Sequence, residues 1–101
     1  MLSLGFSAPQ TIKLIGYIKH RKVIILVDIG STHNFIHRRI AKETHCYIHV
    51  VKKFQIMIAN GGSMKCGGSC ENVHLQIGQC HMKYHMFFID MVGCDILLGA
   101  Q

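Results

Sequence analysis

A single carboxylate stands at the end of an apolar run, in the segment Ile24-Ile25-Leu26-Val27-Asp28-Ile29-Gly30-Ser31. The four aliphatic residues predict a buried strand. Burying an unpaired carboxylate costs several kcal/mol, so such a group is normally paired or part of a site. Because glycine two residues later permits a tight turn, the pattern predicts Asp28 as a catalytic acid held at a strand end. An aspartate after a strand is also a common turn former or helix N-cap, and this alternative stays open.

Two further sets of side chains have types that could bind a metal ion. His33 and His37 are four residues apart, as are His45 and His49, and such a pair can chelate zinc when both members share one face of a helix. The second set comprises Cys66, Cys70, Cys80 and His81. Because these cysteines lack the Cys-x2-Cys spacing of a zinc knuckle, we interpret them as free thiols. We predict neither a metal site nor a cofactor.

The segment before Asp28 has the pattern of a β-hairpin. Polar and apolar residues alternate over residues 11–18, and the basic run Lys19-His20-Arg21-Lys22 separates this strand from the next one, residues 23–27. The second strand of the hairpin would deliver Asp28 to its far end.

The rest of the chain is predicted to contain one helix and several strands. Phe35, Ile36 and Ile40 have near-helical spacing, which predicts a short helix within residues 34–44. Apolar patterns predict strands in residues 54–58, 64–70, 73–77, 82–88 and 94–99. Turn signals stand at Asn60-Gly61-Gly62-Ser63 and Gly78-Gln79, and Gly67-Gly68 indicates a bulge. The fold is therefore predicted to be mainly β.

Length and composition limit the possible functions. The chain has 101 residues, room for one domain, and half of them are hydrophobic, which suggests that a partner, possibly a second copy, covers part of the surface. It has no apolar stretch of the ~18–20 residues that span a membrane. Five cysteines without an export signal favour a reducing, cytoplasmic location. The net charge is +6, but the basic residues are scattered along the sequence, so nucleic acid is not a predicted partner.

Four segments, in order, resemble one protein family. They are Val27-Asp28-Ile29-Gly30-Ser31, Thr32-His33-Asn34-Phe35-Ile36, Ala59-Asn60-Gly61-Gly62 and Gly93-Cys94-Asp95-Ile96-Leu97-Leu98-Gly99. Together they resemble the retropepsin-like aspartic protease domain of plant Ty3/gypsy-type retrotransposon Gag–Pol polyproteins. The resemblance covers residues 11–101, with residues 1–10 as an N-terminal extension, and implies a domain that is incomplete at its C-terminus.

The resemblance implies a closed acid-protease barrel that acts as a homodimer. Asp28 of each subunit would be the catalytic carboxylate, and the active-site turn would comprise Ile29, Gly30 and Ser31. The loop Ala59, Asn60, Gly61 and Gly62 would be the flap that closes over substrate. The implied activity is cleavage of a retroelement polyprotein or a similar extended peptide by two carboxylates that share one proton and one water.

One departure from the family leaves alternatives open. The family has threonine or serine where this chain has Ile29, whose side chain cannot hydrogen-bond across the subunit boundary, so we expect a weaker dimer or displaced carboxylates. A catalytically inactive protease-like binding or dimerisation module is the alternative function, and a basic RNA-associated fragment of a Gag protein is a third. Asp95 also stands in an apolar segment and could be considered as the second acid of a one-chain dyad with Asp28. No glycine follows it two residues later, as Gly30 follows Asp28, so we expect Asp95 to accept structural hydrogen bonds instead.

Overall fold

The structure, a computed structural model, describes residues 2–4, 11–58, 63–90 and 93–99. Within these ranges the chain forms eight strands and one helix. They are β1 (Leu2–Leu4), β2 (Thr11–Ile18), β3 (Arg21–Asp28), β4 (Phe35–His37), α1 (Arg38–Glu43), β5 (His49–Ile58), β6 (Ser63–Ile77), β7 (Cys80–Ile89) and β8 (Ile96–Gly99). No helix in the described ranges is long and apolar enough to cross a membrane.

Six of the strands pair in a closed ring. β2 and β3 form the predicted antiparallel hairpin, with Lys19 and His20 at its turn, both at positive φ. β3 pairs in parallel with β8, β8 pairs with β4, β4 with β7, and β7 with β6. A single pair, Tyr17 with Gln76, joins β6 back to β2 and closes the ring. The ring brings the ends of β3 and β8 together, with Asp28 opposite Gly99.

The hairpin of β5 and β6 extends the sheet beyond the ring. β5 pairs only in part with β6, because the register shifts between Val50 and Phe54, in the region of the bulge that Gly67-Gly68 indicated. β1 adds to β5 in parallel, so three residues of the predicted N-terminal extension belong to the sheet. β6 is one long strand where the sequence predicted two, since a second register shift, with Asn72 at positive φ, bends it without ending it.

The predicted helix is wrong at its start. Phe35 and Ile36 belong to β4, and α1 begins only at Arg38. Both residues are fully buried, and they belong to different apolar clusters: Ile36 packs with Ile25 and Leu75, whereas Phe35 packs with Leu97. Successive side chains of a strand point to opposite faces, so a central strand can bury two neighbours that a helical pattern also explains.

Candidate active site

Asp28, the last residue of β3, is fixed by a turn of its own chain. Its side chain is completely buried, with 0% of its surface exposed. Its Oδ1 accepts a hydrogen bond from the Gly30 N–H at 2.8 Å, and its carbonyl oxygen accepts one from the Ser31 N–H at 3.1 Å. Asp28 therefore lies at the strand end, on the tight turn that the sequence predicted.

The loop after Asp28 is held by a close approach of β8. Ser31 is buried, and its hydroxyl donates to the carbonyl oxygen of His33 at 2.9 Å, so this proton is held inside the loop. A Cβ atom at Gly99 would lie 2.5 Å from the carbonyl oxygen of Ser31 and 2.7 Å from that of His33. Since such contacts do not occur, only glycine lets β8 pass this close, and Gly99 sets the position of the loop.

Asn34 ties the same loop to two strands. It is buried, and its Oδ1 accepts a hydrogen bond from the Gly99 N–H at 3.0 Å. Its carbonyl oxygen accepts one from the Phe87 N–H at 2.9 Å, which joins the loop to β7. Neither Asn34 nor Gly99 could be assigned a site role from the sequence, because a lone amide and a lone glycine have no spacing pattern.

One oxygen of the Asp28 carboxylate has no hydrogen-bond partner in the described residues. Oδ2 is buried, whereas Oδ1 is bonded to Gly30. An unsatisfied buried polar atom costs about 1–3 kcal/mol, and more when the group is charged. Native structures seldom tolerate this cost without a reason, and a catalytic role or a missing partner is such a reason. A partner for Oδ2 would therefore have to come from outside the described residues.

The nearest titratable loop residue adds no fixed positive charge. Burial, followed by the charge of His85, lowers the pKa of His33. The His33 ring also lies 5.6 Å from the Phe87 ring, centroid to centroid. Because a lowered pKa favours the neutral imidazole, His33 does not hold a permanent cation in the loop that follows Asp28.

The sequence of residues 6–101 matches the family model described as retroviral aspartyl protease. The chain belongs to the retroviral aspartyl protease family. Comparison with curated proteins gave no match.

Solved structures of the same kind have a similar fold. The retroviral protease-like domain of Ddi1 from Leishmania major is 13% identical, with a TM-score of 0.67 over 89% of this chain and 72% of that one. The EIAV protease in complex with the inhibitor HBY-793 is 18% identical, with a TM-score of 0.62 over 95% and 88%. A retropepsin-like aspartic protease from Rickettsia conorii is 15% identical, with a TM-score of 0.61 over 93% and 78%. At these identities the similarity shows the fold alone, and it confirms the predicted retropepsin-like fold.

Ile29 and Gly30, the turn residues of this retroviral-protease domain, are both exposed. Ile29 has 66% of its surface exposed. The overpacking that a branched side chain could cause therefore does not arise within one chain, and any crowding would lie between two chains. Among the described glycines, those at positive φ are Gly78 and Gly93. Gly30 contributes its N–H to Asp28 rather than a left-handed backbone.

Asp95 has a structural role in this protease domain. Its Oδ2 accepts a hydrogen bond from the Ile24 N–H at 2.8 Å, and its own N–H donates to the Ile24 carbonyl oxygen at 2.9 Å. Ile24 lies four residues before Asp28 on β3, so Asp95 anchors β3 away from the site. This confirms the predicted structural hydrogen bonds.

The predicted flap, Ala59, Asn60, Gly61 and Gly62, lies outside the described residues. The strands on either side of it are β5 and β6, which are paired up to Met57 and Ser63. The flap assignment therefore stays a prediction that rests on the resemblance.

Neither of the two candidate histidine pairs lies on a helix in the structure. His33 and His37 both precede α1, whereas His45 and His49 lie in the segments that follow it. Among the described residues, no group of three or more histidine, cysteine, aspartate or glutamate side chains could hold a metal ion. All five cysteines are free thiols.

Proposed function

We propose that the chain is one subunit of a homodimeric aspartic endopeptidase, in which each copy supplies one Asp28 carboxylate. The observation that supports this most directly is the buried Oδ2 of Asp28, which has no partner among the described residues. Two such carboxylates on a twofold axis would share one proton and one water. One would act as base toward the water while the other donates to the scissile carbonyl oxygen.

The substrate class that fits this proposal is an extended polypeptide. A peptide strand would lie between the Asp28 turns and the loop of residues 59–62, with main-chain hydrogen bonds from that loop. We take the source of the substrate to be the polyprotein of a plant Ty3/gypsy-type retrotransposon, on the resemblance alone. The reaction needs no metal or organic cofactor, and we place it in a reducing intracellular compartment.

A second candidate function is a catalytically inactive module that binds a partner or dimerises. Ile29 favours this candidate, because it places an exposed aliphatic side chain in the turn next to Asp28. An aliphatic side chain at a twofold axis can pack against its symmetry mate, but it leaves any polar group opposite it without a hydrogen bond. A misplacement of the carboxylates by about 1 Å could cost about a hundredfold in rate.

The experiment that separates the two candidates is cleavage of a quenched peptide library at pH 4–7. The original chain, Asp28→Asn and Ile29→Ser are each assayed at several protein concentrations. Activity that rises steeply with concentration and is lost in Asp28→Asn supports the dimeric protease. Activity only in Ile29→Ser supports an intact scaffold that isoleucine has silenced. No activity in any of the three, from a folded monomer, contradicts the protease proposal.

A further inference from the structure

A basic groove lies between α1 and the hairpin of β5 and β6. Its cationic lining residues come from three elements: Arg38 and Lys42 from α1, Lys53 from β5, and Lys65 from β6. Its volume is about 360 Å³. The sequence gives no sign of this cluster, since the four residues are spread over 28 positions from 38 to 65 and meet only through the fold.

Two further depressions share lining residues with the basic groove. On one side, Arg38 and Lys42 also line a depression with Arg39, and the carboxylates of Glu43 and Asp90 line it too. On the other side, Lys53 and Lys65 line a depression together with Phe54 and Gln55. Five of the eleven lysines and arginines of the chain therefore line the basic groove or these two depressions, and one of them, Arg39, lies 3.7 Å from the Asp95 carboxylate. These cations are numerous enough to contact more than one anionic group of a ligand.

The positive charge of the basic groove is only weakly neutralised within the chain. The Arg38 Nε lies 3.9 Å from the Asp90 Oδ1, and both side chains are more than half exposed, so solvent screens this pair. Lys42, Lys53 and Lys65 make no ion pair in the part of the chain that the structure describes. Unpaired cations that line one groove repel one another, and an anionic ligand would relieve that repulsion.

The remaining lining of the basic groove is apolar or free of side chains. Ile48, 40% exposed, provides most of the apolar surface, whereas Phe88 is a core residue with only 7% of its surface exposed. Gly67 is partly exposed, whereas Gly68 is buried beneath the Phe88 ring. A ligand that carries both phosphates and an apolar group matches this combination of cationic and apolar side chains.

We propose that the basic groove binds the phosphate backbone of a single-stranded nucleic acid. Lysine and arginine donate charge-assisted hydrogen bonds to phosphate oxygens, and a row of cations follows a backbone that carries one charge per nucleotide. Single strands leave their bases free to contact apolar side chains, which a duplex does not. None of the groove residues belongs to the Asp28 turn, so this binding does not depend on the protease proposal.

The test is fluorescence polarisation of a labelled 12-nucleotide single-stranded RNA of mixed sequence against the 101-residue chain. With four phosphate contacts, log K falls with log salt with a slope of about −2.8, which is about a 50-fold loss of affinity between 50 and 200 mM salt. Lys53→Gln/Lys65→Gln should halve this slope to about −1.4 and weaken binding at 50 mM salt at least tenfold. Lys13→Gln/Lys83→Gln, which removes two exposed lysines elsewhere, should change binding less than about twofold.

Three outcomes would overturn the proposal. Equal weakening by the two double variants would mean that net charge alone attracts the RNA. Tighter binding of inorganic tripolyphosphate than of the RNA would mean a site for small phosphates. No binding by the original chain at 50 mM salt, while circular dichroism shows it folded, would mean that the basic groove is ordinary solvated surface. Asp28→Asn is expected to bind the RNA as the original chain does.

Discussion

Replacing Asp28 by asparagine should stabilise the folded chain while it removes any catalytic acid. The change keeps an acceptor for the Gly30 N–H, now at 2.8 Å from a neutral amide oxygen, and it removes a completely buried charge whose Oδ2 has no partner. A buried ion costs several kcal/mol even after relaxation. Two effects offset part of the gain: a hydrogen bond to a charged acceptor is stronger than a neutral one by about 1 kcal/mol, and the amide NH2 that replaces Oδ2 would also be buried without a partner among the described residues. We expect a net stabilisation of about 1–2 kcal/mol.

The assay is urea unfolding at pH 7 and low micromolar protein, followed by circular dichroism. In thermal unfolding, the same gain of 1 kcal/mol would raise the Tm of a domain of this size by about 4–8 °C. Asp95→Asn is the matched control, because the Asp95 carboxylate already accepts the Ile24 N–H at 2.8 Å and lies 3.7 Å from the Arg39 Nη2. That variant should lose about 1 kcal/mol, since it turns a charge-assisted hydrogen bond into a neutral one. The buried carboxylate of Asp28 and the half-buried carboxylate of Asp95 should thus respond with opposite signs.

A loss of stability in Asp28→Asn equal to that in Asp95→Asn would refute the reasoning. It would mean that the Asp28 charge is compensated in the folded protein. If that loss appeared only at high protein concentration, the compensating group would belong to a second copy, since only an association equilibrium depends on concentration. The concentration series therefore separates an error about the site from a contribution of the dimer.

Three other perturbations test the scaffold around the site. Gly99→Ala should lower the free energy of unfolding in urea by about 1–3 kcal/mol, because its Cβ would lie 2.5 Å from a carbonyl oxygen of the Asp28 loop. Gly67→Ala is the control: its Cβ would meet only a flexible lysine at 3.3 Å, so the free energy of unfolding should change by less than about 0.5 kcal/mol. Leu97→Ala, at a fully buried position of β8, should cost about 2–5 kcal/mol, and a smaller loss would mean that the core collapses around it. A hydrogen bond from the Cys70 thiol, together with the Thr44 hydroxyl and the Lys19 charge, lowers the pKa of Cys46. The rate of Cys46 alkylation by iodoacetamide should therefore reach half its maximum at least one pH unit below the ~8.5 of a free thiol. A midpoint at or above ~8.5 would contradict this.

The strands could be predicted because their side chains alternate and their turns carry glycine or basic residues. The hairpin that ends at Asp28 has the predicted bounds to within two residues, since Thr11–Ile18 and Arg21–Asp28 pair throughout. The start of α1 could not be predicted. Burial of both Phe35 and Ile36 arises from the position of β4 between β8 and β7, and a sequence pattern does not contain that position.

Only the part of the candidate site that is formed by neighbouring residues in the sequence could be predicted. Asp28 is identified by the apolar run before it and the glycine after it, both of which are local. Gly99 is 71 residues away from it in sequence and contributes through a close backbone approach. Asn34 is only six residues away, but its contribution is an amide hydrogen bond to the distant Gly99. Such contacts depend on register between strands, and register is fixed by the closed ring as a whole.

The exposure of Ile29 changes how the departure from the family turn should be understood. A residue that is 66% exposed costs the single chain almost no packing energy, so the folded domain tolerates isoleucine at this position. Its consequence falls on whatever contacts the turn from outside, which in the proposed dimer is the same turn of a second copy. The buried Oδ2 of Asp28, next to this turn, also lacks a hydrogen bond, and only a group from outside the described residues can supply it. Ile29→Ser should therefore change association and activity while leaving the unfolding free energy of the monomer within about 0.5 kcal/mol. If the monomer itself became less stable by more than 1 kcal/mol, Ile29 would be packed within its own chain, and the argument for an intersubunit role would fail.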